Sequence, residues 1–464
     1  MKAETASFGG LKLQFALSTW LLLAPAIVLR VSGTDFTYGA FALLVVHAAR
    51  GCQQAFQALF LSWLFASLNP ALFPLMGDVE LIRVLILVVA AIRTTVESRS
   101  HLMSAMPRRV TIPLLVFLVI CFANSIFVSP LPTLSLLKTL LFGLTSLSVL
   151  GMWVRVDLLR EGIDAWLLAA LTLVVLASVP LIFFGMGYEI NDRGFQGILN
   201  HPQHFGIMVA LLATWQLGVI LTKRLFSVWR ILLLGLFVTV LYISEARTGM
   251  LAFTLGTLAA GVISLFSHRS ELRRVLADMP RIFRAVAGGM MIILAIVFFQ
   301  GLLQGLENAV FKGDADSTLA ENFSGSRGML IERALNNFVE HPLFGSGFAM
   351  PTFLELLEVR YDPLFGIPVS ASVEKGVLPA AVLEELGIVG ALSFLWLIYA
   401  LVRQVVRHGA YHMIGLMICA LTINLGESVL FSPSGFGLLV WLIIGMTVAP
   451  VAQRRIETVE SRPW

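Results

Sequence analysis

Apolar runs about as long as a bilayer-spanning helix recur along most of this chain, separated by short polar breaks. Of the residues, 58% are hydrophobic and only 13% are charged. A helix needs about 20 mostly apolar residues to cross the hydrocarbon core of a membrane. Because a backbone in lipid must satisfy its hydrogen bonds within each span, the pattern predicts an all-α polytopic membrane protein.

The apolar runs and their polar breaks predict about fourteen helices, of which about 12–14 cross the membrane. The predicted helices are residues 11–31, 36–49, 55–75, 79–93, 110–128, 134–154, 163–186, 203–222, 228–243, 247–267, 281–305, 380–402, 410–430 and 435–452. The first run lacks a signal-peptide exit and is expected to remain as helix 1. No shift in composition divides the chain, so residues 1–464 are predicted to form a single integral membrane domain.

The distribution of basic residues predicts an orientation with both termini in the cytoplasm, because most arginines and lysines then fall in cytoplasmic loops. Residues 306–379 become one large extracytoplasmic loop, in which residues 327–341 have the apolar spacing of an amphipathic helix. The rule disfavours positive charge in outer loops, so basic residues that remain there need a separate reason. They are Arg30, Arg193, Arg247, Lys312, Arg327, Arg333, Arg360 and Lys375.

Three of these arginines, Arg193, Arg247 and Arg327, form the strongest candidate site. A guanidinium stays charged and offers a planar fork of donors that fits phosphate oxygens, so three of them would hold a diphosphate. Arg327 would also stand at a helix start, where the dipole favours an anion. The alternative is that each arginine snorkels or forms an ion pair, Arg247 with Glu245 for example.

Candidates for acid–base chemistry lie beside the last outer loop. Glu374 and Glu385 fall at the predicted outer edge, where a general base would deprotonate a sugar hydroxyl. Alternatively, Glu374 pairs with Lys375, and Glu384 and Glu385 favour a helix start through its dipole. His201 and His204 lie at the mouth of a predicted helix and could face the same pocket, although a histidine there is more often structural.

No motif indicates a cofactor or a metal. The sequence has no Walker loop, no HExxH, no CxxC and no dinucleotide fingerprint, and its three cysteines stand alone. We therefore expect no cofactor, no metal and no nucleic-acid partner. The energy for any reaction must come from the substrate.

Several short motifs together resemble the O-antigen ligase and polymerase superfamily over roughly residues 190–395. The matching pieces are Asp192-Arg193-Gly194, Asn200-His201-Pro202, Ser244-Glu245-Ala246-Arg247-Thr248-Gly249, Gly325-Ser326-Arg327, Glu340-His341-Pro342-Leu343-Phe344-Gly345-Ser346-Gly347 and Glu385-Leu386-Gly387-Ile388-Val389-Gly390. The resemblance implies a metal-independent glycosyltransferase of the bacterial inner membrane. Such an enzyme moves a glycan from a polyprenyl-diphosphate carrier to an acceptor sugar on the periplasmic face, in lipopolysaccharide or exopolysaccharide biosynthesis.

The resemblance also implies roles for particular residues. Arg193 and Arg247 would hold the diphosphate, and the large loop would cover the acceptor, which is lipid A core for ligases and a lipid-linked repeat for polymerases. Ligases have a histidine about nine residues before the Glu-x-Gly glutamate, whereas this chain has Glu374-Lys375-Gly376 there. Lys375 therefore joins the catalytic candidates, the identity of the base stays open, and a surface-polysaccharide polymerase is favoured over a ligase.

A transporter or flippase of lipid-linked oligosaccharide is the alternative from another class, since it would also need a polytopic bundle and cationic contacts. Such proteins hold their charge in a cavity at the midplane, on broken helices. Here the charge collects at the outer edge. A scaffold in polysaccharide assembly is a third possibility, and membrane lipids are expected partners in every case.

Overall fold

The structure, a computed structural model, describes most of the chain. The described residues are 4–8, 11–15, 17–75, 78–98, 108–154, 162–188, 194–223, 227–267, 329–353, 357–361, 368–371, 375–408, 411–433 and 435–448, with a few isolated positions between residues 277 and 366.

Helices account for nearly all of this structure. They are α1 Leu17–Ser32, α2 Thr37–Ala48, α3 Cys52–Ala66, α4 Glu80–Ser98, α5 Arg108–Phe127, α6 Pro132–Val154, α7 Ile163–Ser178, α8 Pro202–Lys223, α9 Val228–Ile243, α10 Arg247–Ser267, α11 Met329–Glu340, α12 Leu378–His408, α13 Tyr411–Thr422 and α14 Phe436–Val448. Short 3₁₀ turns cover Thr34–Phe36, Val179–Phe183, Gly185–Gly187 and Ile423–Leu425.

Two small antiparallel hairpins complete the described part. Strand β1 (Glu4–Phe8) pairs with β2 (Leu11–Phe15), with Glu4 opposite Phe15. Strand β3 (Val359–Tyr361) pairs with β4 (Pro368–Ala371), with Val359 opposite Ala371. The first predicted helix was therefore wrong at its start, because a strand occupies Leu11–Phe15 and the helix begins at Leu17.

Five of the described helical segments are long and apolar enough to cross a membrane. They are Arg109–Phe127, Pro132–Met152, Ile163–Phe183, Pro202–Leu221 and Leu378–Arg407. Five shorter apolar helices accompany them: Trp20–Ser32, Val228–Ile243, Arg247–Ile263, His412–Leu425 and Phe436–Val448. These findings confirm the predicted all-α polytopic membrane fold.

Most predicted helices coincide with observed ones, and α9 and α10 have the predicted bounds. Helix α11 confirms the predicted amphipathic helix, since it buries Leu330 and Ala334 and exposes its polar face. The run predicted at residues 55–75 is wrong at its end, because α3 stops at Ala66. After α3, Leu68 forms an isolated antiparallel β-bridge with Leu199. The predicted helix 281–305 lies outside the described residues.

An aromatic cluster joins the helices at one end of the bundle. Phe431, in the connection between α13 and α14, lies at its centre, 5.8 Å from Phe117 of α5 and 5.3 Å from Phe142 of α6, measured between ring centroids. Phe394 of α12 and Phe348 of the segment after α11 lie 5.6 and 5.3 Å away. Such aromatic pairs hold the connections in fixed positions.

Helix α12 is broken at Gly387, whose backbone has φ 62° and ψ −163°. The segment after α11 inserts at the break and satisfies the exposed backbone groups. Four backbone hydrogen bonds join the two segments: Ser346 N–H to Glu384 O (2.8 Å), Gly347 N–H to Glu385 O (3.1 Å), Ile388 N–H to Pro342 O (2.9 Å) and Val389 N–H to Leu343 O (3.2 Å). The motifs Glu385–Gly390 and His341–Gly347 therefore form one structural unit.

A first prediction concerns this unit. We expect Gly387→Ala to lower the free energy of unfolding by at least about 1–3 kcal/mol, the usual cost of a strained backbone conformation. The new Cβ would also collide with the backbone of Leu343. Thermal unfolding of the purified protein measures the loss. The matched control is Gly235→Ala on α9, where nothing lies within 4 Å of an added Cβ and where alanine favours the helix. An equal loss in both variants would contradict the prediction.

Candidate functional site

Two groups of predicted site residues lie at the same end of the helical bundle. The connection between α13 and α14 contacts both. At Gly426 it packs against Thr248 in the first turn of α10, and at Phe431 it packs on Phe348 beside the α12 break. We refer to this as the Arg247 end of the bundle.

Arg247 is the first residue of α10, and its side chain is exposed. It lines an open cleft with about 980 Å³ of empty volume, together with Tyr188, Gly194, Tyr242, Ile243, Glu245 and Met250. No described residue forms an ion pair or hydrogen bond with the guanidinium, so the alternative Arg247–Glu245 ion pair is not formed. No described residue therefore competes with an anion for the guanidinium in the cleft.

The backbone around Arg247 adds to this cationic character. Arg247 opens a helix of 21 residues, and the first N–H groups of a helix have no acceptor within it. The helix dipole adds a partial positive charge at the same place. Glu245 holds a left-handed turn with φ 53°, and a Cβ on Gly249 would approach the Gly206 carbonyl oxygen of α8 to 2.9 Å. The close packing of α8 and α10 thus fixes the position of the helix start that carries Arg247.

The second group is a buried cluster of one lysine and two glutamates, which we call the acid–lysine cluster. Lys375 Nζ lies 2.6 Å from Glu384 Oε2 and 3.3 Å from Glu385 Oε1. Glu384 is 0% exposed and Glu385 is 2% exposed. Two buried carboxylates without a cation would be strongly destabilising, so Lys375 provides the positive charge beside them.

Residues from several segments complete the hydrogen bonding of the cluster. Asn337 of α11 donates to Glu384 Oε1 (2.7 Å), and the Thr352 hydroxyl donates to Glu384 Oε2 (3.1 Å). The Ala349 N–H donates to Glu385 Oε2 (2.7 Å), and Lys138 Nζ of α6 donates to the Ala349 carbonyl (3.2 Å). The cluster therefore ties α11, the segment after it and α6 to α12.

Sequence reasoning singled out Lys375 and Glu385 but missed the partners that hold them. It considered Glu384 only as a residue favouring a helix start, although no acidic residue lies in the first turn of α12. Asn124 was also missed; its amide donates to the Phe344 carbonyl (2.6 Å) and accepts from the Phe348 N–H (2.7 Å). A polar residue near the end of an apolar helix was the available signal.

The two histidines have structural contacts. His201 Nδ1 accepts the Gln203 N–H at 3.2 Å and so caps the start of α8. Burial lowers the pKa of His201 below its usual value, which matches the neutral, accepting ring nitrogen. His204 pairs with the Asn200 side chain at 3.2 Å and stacks on Phe436, 5.2 Å between centroids. Neither histidine is among the residues that line the Arg247 cleft.

Arg30, another basic residue of the predicted outer loops, has a structural role. Its guanidinium is 1% exposed and donates to the carbonyl oxygens of Phe65 (3.1 Å), Phe73 (2.8 Å) and Pro74 (3.3 Å). Arg30 thus holds the chain after α3, whereas Arg247 faces an open cleft. The candidates Arg193, Arg327 and Glu374 lie outside the described residues.

In the described part of the chain, no group of three or more His, Cys, Asp or Glu side chains is arranged to hold a metal ion. The three cysteines, Cys52, Cys121 and Cys419, are free and buried. Their burial agrees with the packing role expected of isolated cysteines.

The fold, the Arg247 cleft and the acid–lysine cluster define a polytopic membrane protein with an open cationic cleft and a buried ionic cluster at one end. A sequence model of the family described as O-antigen ligase matches residues 231–395, about a third of the chain. The match includes Arg247, α11 and the acid–lysine cluster. It confirms the predicted resemblance to the O-antigen ligase and polymerase superfamily over these residues. The search of curated proteins found no match.

The matched family indicates activity of the O-antigen ligase or polymerase type, which is a glycosyltransferase-like reaction. It implies, in general terms, a lipid-linked glycan and an acceptor as substrates.

Proposed function

We propose that this protein transfers a glycan from a polyprenyl-diphosphate carrier to an acceptor sugar at its Arg247 end, on the periplasmic face of a bacterial inner membrane. In this proposal both termini are cytoplasmic, and residues 306–379 form the outer loop of a single membrane domain. The observation that carries the proposal is the exposed Arg247 at a helix start, in an open cleft and without an ion-pair partner among the described residues.

The reaction is one displacement at the anomeric carbon. The acceptor hydroxyl oxygen forms the new glycosidic bond as the bond from that carbon to the diphosphate oxygen breaks. The departing electron pair stays on the diphosphate, and the hydroxyl proton passes to a base. Because charge develops on the leaving diphosphate, preplaced cationic donors lower the barrier. Arg247 supplies such donors, and Arg193 and Arg327 are the proposed partners that would share the charge.

The acid–lysine cluster is the proposed positioning element of the site. Glu385 and Lys375 are buried against each other, which favours a role in fixing the α12 break over direct contact with the acceptor. Glu374, the residue before Lys375, remains the proposed base that accepts the hydroxyl proton. No metal and no cofactor takes part in this proposal.

The decisive experiment supplies purified protein with lipid-linked repeat units, with and without lipid A core. We expect long glycan chains without core, which identifies a polymerase. One-step transfer to core identifies a ligase. If the protein transfers no glycan from a donor that another glycosyltransferase can use, both the polymerase and the ligase assignments are wrong.

A transporter or flippase makes a different prediction in cells. Loss of a flippase traps the lipid-linked precursor on the cytoplasmic side, whereas loss of a transferase leaves it facing outward. We expect the outward-facing precursor. A precursor that accumulates inside would support transport instead.

A further inference from the structure

A second cationic cleft lies at the end of the bundle opposite Arg247. It runs between α5 and α12 and has about 820 Å³ of empty volume. Arg109 near the start of α5 and Arg403 and Arg407 near the end of α12 line it. Arg403 lies 18 residues after Glu385, so the cleft is roughly 27 Å along the helix from the acid–lysine cluster. We call it the arginine groove.

The three arginines of the groove have no acidic partner in the part of the chain that the structure describes. Their side chains are exposed, and no residue in the described part of the chain forms an ion pair with any of them. None of the described residues that line the groove is acidic. Arg403 lies over the ring of Tyr399, 5.6 Å from its centroid, which holds the guanidinium at the groove. Three positive charges in one concave site favour an anionic occupant.

Apart from Gln404, the rest of the groove is apolar and aromatic. Trp396 is 45% exposed and Tyr399 is 57% exposed, and Ile112 continues the apolar wall on α5. The small side chains of Pro113 and Ala400 leave the hollow between these larger groups. The arginines stand where the apolar spans Arg109–Phe127 and Leu378–Arg407 end, so the groove passes from an apolar wall to a cationic rim. Tryptophan and tyrosine are enriched at this level of a membrane.

We infer that the arginine groove binds an anionic glycerophospholipid. Its phosphate would lie among Arg109, Arg403 and Arg407, and its acyl chains would lie along Ile112 and Trp396. A soluble phosphate compound would gain nothing from the apolar wall, and a neutral lipid would leave the guanidinium groups unpaired. Basic pockets between membrane helices bind anionic headgroups in this way. This site is independent of the proposed transfer reaction.

The test is a lipid titration of the purified full chain in a non-ionic detergent, followed by native mass spectrometry. The probes are dioleoylphosphatidylglycerol and dioleoylphosphatidylcholine, which share acyl chains and differ in headgroup charge. We expect wild type to bind phosphatidylglycerol more tightly. Each basic residue near an anionic headgroup contributes about a fivefold change in affinity, so Arg403→Gln with Arg407→Gln should weaken phosphatidylglycerol binding about 25-fold. Phosphatidylcholine binding should hardly change.

The matched control is Arg93→Gln, which removes one positive charge at the same end of the bundle but outside the groove. It should bind phosphatidylglycerol like wild type. Equal wild-type affinity for the two lipids, or undiminished phosphatidylglycerol binding in the double variant, would overturn the inference. Competition by glycerol 3-phosphate at lipid-like concentrations would also overturn it. If the double variant does not fold, the relative affinity of the wild type for phosphatidylglycerol and phosphatidylcholine still tests the inference.

Discussion

Replacing Arg247 by alanine is expected to lower the rate of glycan transfer by about 10²–10³-fold, the usual effect of removing one preplaced donor from a developing negative charge. The guanidinium lies in an open cleft and has no intramolecular partner among the described residues, so its loss should leave folding intact. Arg247→Lys should recover only part of the rate, because an ammonium keeps the charge but lacks the planar fork. Transfer of radiolabelled glycan from lipid-linked donor by the purified protein measures the rate.

The control for Arg247 is Arg333→Ala. Arg333 is an exposed arginine of α11, and Asn337 one turn later connects this helix to the acid–lysine cluster. Loss of the Arg333 side chain should change the transfer rate little. The amount of each variant in the membrane should equal that of wild type. Normal glycan output from Arg247→Ala would refute the proposed role of this arginine.

Replacing Lys375 by methionine is expected to destabilise the protein by about 3–5 kcal/mol, the cost of leaving buried charge unpaired. The change leaves Glu384 and Glu385 buried without their cation. The double variant Lys375→Met with Glu384→Gln should recover part of that loss, because one of the two buried carboxylates is removed. Thermal unfolding of the purified variants measures the effect.

A half-buried surface ion pair provides the comparison. Arg93 Nε lies 2.6 Å from Glu97 Oε1 on α4, where the two side chains are 35% and 18% exposed. Breaking it with Arg93→Gln should cost no more than about 1 kcal/mol, because solvent screens such pairs. Unchanged stability in Lys375→Met would contradict a structural role for the cluster. If the double variant folds but transfers glycan slowly at saturating donor and acceptor, the cluster also positions the site.

Local patterns were sufficient to predict most of the helices. The bounds of α9 and α10 could be read from the apolar run and from the polar residues 244–246 that interrupt it. The apolar spacing of residues 327–341 likewise predicted α11, which buries Leu330 and Ala334. Such predictions succeed because each span must satisfy its backbone hydrogen bonds within itself and must match the thickness of the bilayer.

The site was predictable only in part. The position of Arg247 beside a polar break marked it as exceptional in the sequence, and the cleft agrees with that interpretation. The break in α12 was not predicted, because Gly387 is one of several glycines in apolar helices. It requires the separate segment 342–347 to provide donors and acceptors at the break.

By itself, the sequence determined that the chain is an all-helical membrane protein, where most helices begin and end, and which arginines lack an obvious reason for their position. These properties depend on neighbouring residues and on the bilayer. Only the tertiary structure decided that Lys375, Glu384 and Asn337 meet, that Arg30 supports the chain after α3, and that three arginines converge at the opposite end. Those contacts join residues far apart in the chain, and the packing of whole helices determines which distant side chains become neighbours.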